Sequence, residues 1–311
     1  MASQDGLALV YGGTGQQGGP VARQLLQAGR RTRVLTRNAA RAESLGVAGA
    51  EVAVGDLGDP ASLEAPSEGV EAVFFHSPLE FDPDVGITYG RNAIDAAGSA
   101  GIGLFVFDTS FPVPSSLTGI AAIDIRYEIQ AYLKRSGIPN IIIRPPYYTE
   151  NFSYPFAAPA DVVHRGVLRY PPMPREVRVS WITMQDVGSL AVEALSRPEL
   201  AGAVFEVGGP EALTGDDVAE RFAAILDRPV TYDPFSPDEY EQILNAAMGE
   251  PIGTEVTNQV RYYADNPDLV SVSDMGPVLE KLPVRLTTLG EWAATVPWMT
   301  IAGPASSEPS R

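Results

Sequence analysis

Gly12-Gly13-Thr14-Gly15-Gln16-Gln17-Gly18-Gly19 is the stretch with the clearest chemistry. Glycines let a backbone turn tightly and approach a phosphate, whose charge then faces the N–H groups that open a helix. The run reads as Gly-x-Gly-x-x-Gly from Gly13 or as Gly-x-x-Gly-x-x-Gly from Gly12. The apolar run Leu7-Ala8-Leu9-Val10-Tyr11 precedes it, and a helical pattern begins at Pro20. Strand, glycine turn, helix is the context in which such a motif binds a dinucleotide rather than only turning the chain. The second cue is a cation. Arg37 closes the next strand, twenty-five residues after Gly12, and no acid occurs between it and Glu43. An acid at the end of that strand accepts bonds from the ribose hydroxyls of NAD, whereas an arginine suits the 2′-phosphate of NADP. The expected cofactor is NADP(H), with Asn38 and Arg41 placed to assist. The alternative for Arg37 is a surface arginine.

Groups able to move a proton are scarce. The two histidines are His76 and His164. His76 leaves the fourth strand, at the edge where open α/β sheets place ligands, and an imidazole titrates near neutrality. It is a candidate for proton transfer, or else a structural histidine that packs on a cofactor. His164 lies in a proline- and aromatic-rich stretch and is assigned no chemistry. Ser110 follows the fifth strand and is either a substrate-side hydroxyl or a loop cap. Tyr147 and Tyr148 are either proton donors or flat packing surfaces. Asp82 and Asp84 read as a solvated helix start. No cluster of His, Asp or Glu has metal-ligand spacing, and no nucleophile stands beside a base as a hydrolase requires. The chain has no cysteine, which excludes disulfides, thiol catalysis and thiolate–metal sites.

These residues need a sheet to position them. The first helix is expected from about Gln17 to Ala28, with the pairs Val21/Leu25 and Ala22/Leu26 on one face and Gly29 as its stop. Residues 32–36, 51–54, 72–75, 104–107 and 141–143 read as further strands. A short helix starts with Asp59 as N-cap and Pro60 at the first helical position. Longer helices are expected over residues 86–100 and 122–135, the second with Ile125, Ile129 and Leu133 as its apolar stripe. A proline-rich loop, 111–119, lies between. This alternation predicts an α/β fold, a doubly wound parallel sheet with a smaller C-terminal α/β domain.

Beyond residue 150 the pattern loosens. Residues 150–178 are rich in proline and aromatic side chains, as a substrate-side insertion would be. Helices follow over 185–196, 216–226, 237–248 and 288–294, with a strand at 204–207. The expected division is 1–150 for the cofactor, 151–302 mostly for substrate with segments returning to the sheet, and 303–311 as a tail.

Composition narrows the partners. The chain has 311 residues, is 45% hydrophobic and carries a net charge of −17, enough apolar material for a sizeable core and a surface unsuited to nucleic-acid phosphates. No apolar run is long enough to span a membrane, and Met1 to Asp5 lack the basic and apolar regions of a secretory signal. A cytoplasmic protein acting on a small molecule is expected, with neither nucleic acid nor membrane as partner. A homodimer or a protein partner stays open.

By residue 152 several motifs stand in register. They are Tyr11 to Gly19, then Val34-Leu35-Thr36-Arg37-Asn38, then Val54-Gly55-Asp56-Leu57-Gly58-Asp59-Pro60. Ser136-Gly137-Ile138-Pro139 leads to Arg144-Pro145, and Glu150-Asn151-Phe152 and Trp181-Ile182 with Gln185-Asp186-Val187-Gly188 follow. In these the chain resembles the NmrA-like group of atypical short-chain dehydrogenases/reductases over about its first 210 residues. The resemblance implies a Rossmann domain and a smaller substrate domain. It implies NADP contacts from Gly12, Thr14, Gly15, Gln16, Gln17 and Gly18, and from Arg37 with Asn38. Asp56 and Leu57 would border the adenine, and His76, Ser77 and Pro78 would run towards the nicotinamide. Tyr147, Tyr148 and Asn151 would flank the nicotinamide and substrate.

Typical short-chain reductases carry Tyr-x-x-x-Lys on the helix after the fifth strand. Four-residue spacing puts both side chains on one face, and the lysine lowers the tyrosine's pKa for proton donation. By register with the family, the lysine position holds Arg126 and the tyrosine position Ala122. The only lysines, Lys134 and Lys281, follow Gln130 and Pro277 at that spacing. An arginine does not give up a proton at neutral pH, but it binds a ribose hydroxyl, an oxyanion or a carboxylate. The alternative is an exposed arginine on a helix edge. Tyr127, beside it, is turned about 100° away around the helix. The candidate catalytic set is Arg126, His76, Tyr147 and Ser110. The family holds reductases and NADP-sensing regulators alike. The expected function is NADPH-dependent reduction of a small organic substrate. The alternatives are a non-catalytic NADP(H) sensor and a dehydratase or isomerase that retains its cofactor.

Overall fold

The computed structural model describes residues 6–272 and 274–304. Met1 to Asp5, and residues 305–311 of the expected tail, lie outside them. Nine strands are described: β1 (Ala8–Tyr11), β2 (Thr32–Thr36), β3 (Glu51–Val54), β4 (Ala72–His76), β5 (Leu104–Asp108), β6 (Asn140–Arg144), β7 (Val167–Leu168), β8 (Val204–Glu206) and β9 (Thr231–Tyr232). The helices of the first half are α1 (Gly18–Gln27), α2 (Glu43–Val47), α3 (Glu64–Ser67), α4 (Pro83–Ser99), α5 (Ala121–Arg135) and α6 (Met184–Leu195). Then come α7 (Gly215–Leu226), α8 (Pro237–Met248), α9 (Ile252–Asp265), α10 (Gly276–Lys281), α11 (Leu289–Thr295) and α12 (Trp298–Ala302).

The chain divides into two compact units. The first comprises Met1–Pro145, Met184–Val207 and Asp274–Arg285. It holds the expected doubly wound sheet, seven parallel strands in the order β3-β2-β1-β4-β5-β6-β8. Strands covered on both faces read as continuous apolar runs, and β1 and β5 are buried along their whole length. One face buries Leu9, Val73, Phe75, Phe105 and Phe107 with Ile94 of α4 and Ile125 and Ile129 of α5. The pair α1 and α6 packs together and against β4. Strand order reverses at β1, and open α/β sheets place ligands outside the carboxyl ends of the strands at such a switch.

Most boundaries fall within a residue or two of the expectation. Gly29, at φ +74°, ends α1, and the Arg30 N–H donates to the Leu25 carbonyl at 2.9 Å. Asp82 accepts from the Asp84 and Val85 N–H groups and caps α4 as expected. Asp59 differs. Its side chain makes no cap bond on the 3₁₀ turn Pro60–Leu63; instead its carbonyl accepts from the Ser62 hydroxyl at 2.7 Å.

The second unit comprises Pro146–Thr183, Gly208–Ser273 and Leu286–Arg311. Its β7 and β9 form a two-stranded parallel pair, and α8 packs along α9. No helix among the described residues is long and apolar enough to cross a membrane.

Candidate functional site

The glycine turn joins β1 to α1. Gly12 has φ +62°, a region that strains any side chain, and a Cβ there would lie 2.8 Å from His76 Nε2. A Cβ on Gly18 would lie 2.5 Å from the Gly12 carbonyl oxygen, so the helix start is folded tightly onto the turn. No side chain caps α1, and its first turn carries no acidic residue.

A cavity of about 370 Å³ opens beside this turn, at the carboxyl ends of β1, β2, β3 and β4. That volume suits a small-molecule site. Of the expected cofactor residues, Gly12, Thr14, Gly15, Arg37, Asn38, Asp56, Leu57, His76 and Pro78 line it. Gln16, Gln17, Gly18, Ser77 and Arg126 do not. Arg37 and Arg41 line it together and make no ion pair among the described residues. The Asn38 carboxamide oxygen accepts from the Ala40 N–H at 3.0 Å and caps the turn that carries Arg41. Asp56 accepts from the Gly58 N–H at 2.8 Å. Leu79, Glu80 and Tyr89 also line the cavity and were not anticipated. Only their nearness in sequence to the end of β4 signals them, because Tyr89 lies off the buried face of α4.

His76 sits at the last position of β4. Burial pushes its pKa down to about 4; the Arg126 charge pushes the same way and the Ser77 backbone opposes. The near-neutral titration expected from its residue type is therefore corrected: desolvation holds the ring neutral at pH 7. Its Nδ1 is buried with no hydrogen-bond partner among the described residues.

The surface alternative for Arg126 is corrected as well. Arg126 is 1% exposed. It donates to the Ala122 carbonyl at 3.0 Å and to the Pro78 carbonyl at 3.1 Å, and its guanidinium lies 4.5 Å from the centre of the Phe111 ring. It ties the loop after β4 to α5. Ser110 is also committed. At φ 64° it donates through Oγ to Gln17 Oε1 at 2.9 Å, and its N–H donates to Asp108 Oδ1 at 2.8 Å. A serine held in that backbone region by two bonds joins the loop after β5 to the glycine turn.

Tyr147, Tyr148 and Asn151 belong to the second unit. The Tyr147 ring packs on Trp181 at 5.6 Å and Tyr263 at 6.1 Å. Burial raises its pKa well above that of an ordinary phenol. Tyr148 is buried and bridges Ile182. Asn151 donates to the Tyr170 hydroxyl at 3.2 Å. His164 is held by the Gly303 carbonyl at 2.9 Å. No group of three or more His, Asp or Glu able to hold a metal occurs among the described residues.

The model of the NmrA-like family matches residues 4–293. The chain belongs to the NmrA-like family. An NmrA-like relative, the NAD(P)H azoreductase of Xenophilus azovorans, is 32% identical over 291 residues, covering 92% of this chain and 96% of that one. Quinone oxidoreductase 2 of Escherichia coli is 28% identical over 246 residues, 78% of this chain and 82% of its own. The crystal structure of the NADPH-dependent quinone oxidoreductase of Escherichia coli with NADPH matches at TM-score 0.78 and 25% identity. It covers 93% of this chain and 98% of that chain. The NmrA-like fold here is thus of the Rossmann type, as its sheet order indicates.

Proposed function

We propose that the chain is an NADPH-dependent reductase of a small organic acceptor. NADP(H) is the cofactor. The observation that carries the reading is the pair Arg37 and Arg41, without ion-pair partners among the described residues, beside the glycine turn in one cavity. The two relatives named above are an NAD(P)H azoreductase and a quinone oxidoreductase, which supports conjugated acceptors of that kind.

Gly12, Thr14, Gly15, Gln16, Gln17 and Gly18 hold the pyrophosphate through backbone N–H groups at the start of α1. Arg37 and Arg41 hold the 2′-phosphate, and Asn38 orients Arg41 through its cap. Asp56 and Leu57 border the adenine. His76, Ser77 and Pro78 wall the path to the nicotinamide, and Arg126 holds that wall by its bond to the Pro78 carbonyl. Tyr147 and Asn151, in the second unit, serve the substrate. Bound NADPH supplies a hydride, and acceptor, NADPH and one proton become reduced acceptor and NADP⁺. Burial holds His76 neutral at pH 7 and makes the Tyr147 phenol a weaker acid than usual.

Steady-state oxidation of NADPH against quinones, azo arenes, enones, aldehydes and imines tests this. Consumption with a conjugated acceptor is expected. Tight NADPH binding with no consumption across the panel would contradict it. That result would favour a cofactor sensor, the reading that Ala122 and the engaged Arg126 support in place of Tyr-x-x-x-Lys.

A further inference from the structure

Tyr89 lines the cavity beside the glycine turn, yet it belongs to none of the motifs that announce the cofactor. It stands on α4, whose buried face is Gly86, Gly90, Ala93, Ile94 and Ala97. Residues three apart share a side of a helix, so Tyr89 and Asn92 lie together off that face. Asn92 Nδ2 donates to the Leu57 carbonyl at 2.6 Å and ties the loop after β3 to this side of α4. The start of the helix is fixed as well. Glu80 Oε1 accepts from the Phe81 and Asp82 N–H groups at 2.8 and 3.0 Å, and Asp82 caps α4.

The loop beside the ring is stripped of side chains on either side of Asp56 and Leu57. A Cβ on Gly55 would lie 2.9 Å from Leu35 Cδ1. A Cβ on Gly58 would lie 3.4 Å from Tyr89 Cε1 and 3.4 Å from Asp56 Oδ1. The ring edge, the Gly58 backbone and the Asp56 carboxylate are thus neighbours.

The ring itself is unengaged. Among the described residues Tyr89 makes no hydrogen bond, no aromatic contact and no cation contact. Tyr11, by contrast, packs edge-on to Phe75, and Tyr132 donates to Asp95 and lies under Arg91. A half-buried aromatic side chain left open to a cavity is a stacking surface for a flat π system. The neighbours say which one. Asp56 and Leu57, assigned to the adenine, adjoin the ring, and Arg37 and Arg41, assigned to the 2′-phosphate, line the same cavity.

We propose that the Tyr89 ring stacks on the adenine base of NADP(H), so that a base grip from α4 works beside the phosphate grip of Arg37 and Arg41. The inference rests on the placement of NADP(H) in this cavity and adds a residue to it.

Calorimetric titration of the full chain with NADPH and with adenosine 2′,5′-bisphosphate tests it; the second probe keeps the base and the 2′-phosphate and lacks the nicotinamide. Tyr89→Ala should raise both Kd values by the same factor, about five- to fiftyfold. Tyr89→Leu refills the space with an aliphatic side chain and should still weaken both at least about threefold. Tyr89→Phe keeps the ring and should stay within about twofold of the parent. Unchanged affinity in Tyr89→Ala, a loss for NADPH that the bisphosphate does not share, or equal losses in Tyr89→Phe and Tyr89→Leu would overturn the inference. Arg37→Asp, titrated alongside, separates it from the reading beneath it. Loss of the bisphosphate in Arg37→Asp but not in Tyr89→Ala would overturn the role of Tyr89 alone. Parental affinity in both variants would overturn the placement of the cofactor as well.

Discussion

In the proposed reading, cofactor choice turns on Arg37, which lines the cavity beside the glycine turn. Its place at the end of β2 was legible because strand, glycine turn, helix and strand each announce themselves locally. Arg37→Asp should raise the Kd for NADPH roughly ten- to a hundredfold, the loss of a charge-assisted bond plus a new repulsion, and should leave NADH within a few-fold. Unchanged NADPH affinity in a fluorescence titration would remove Arg37 from the site. Arg126 was not legible in the same way. Its burial depends on Phe111 and the Pro78 carbonyl, which come from two distant loops that no helix periodicity reports. His76 carries a pH signature. Its folded pKa of about 4 lies below the ordinary 6.5, so as pH falls the unfolded chain takes the proton first. The stability it contributes is whole above about pH 6.5 and is lost as pH falls towards about 4. His76→Gln should therefore lose less of its urea midpoint between pH 7 and pH 5 than the parent. Equal losses would mean that the ring is not held neutral.

At the scale of elements, the central strands were readable because helices cover them, and their apolar runs have no polar alternation to confuse them. Helix α9 was missed. Its buried face includes Gly253, Thr257 and Gln259, so the apolar stripe through Val260 and Tyr263 is broken by small and polar residues. The two-residue strands β7 and β9 are too short to carry a period. The packing of α4 on α5 offers a sharper test. Gly86 and Gly90, four residues apart on one face, meet Ile125 and Ile129. A Cβ on Gly90 would lie 2.4 Å from Ile129 Cγ1. Gly90→Val should cost about 1–3 kcal/mol in denaturant unfolding through overpacking. A cost near zero would show that the two helices separate freely. In the second unit, Thr214 and Asp217 form a capping box on α7, and Thr214→Ala should cost about 1 kcal/mol.

At the scale of the molecule, the glycine turn, the cation after β2 and the sheet order agree with membership of the NmrA-like family. The second unit was less legible, since its packed rings, such as Tyr147, Tyr170, Trp181 and Tyr240, are gathered from segments far apart in the chain. The net charge of −17 bears on the regulatory alternative. Gel-shift titration with duplex DNA at physiological salt should show no complex, and a complex would contradict the electrostatic argument. The central claim is hydride transfer from NADPH to an acceptor. Its most direct test is a reaction with NADPH deuterated at C4, followed at 340 nm alongside the acceptor. One NADPH should be consumed for each two-electron reduction of acceptor, and the decay should slow when the transferred position carries deuterium. Acceptor converted with no loss of NADPH, or NADPH bound and never consumed, would contradict it.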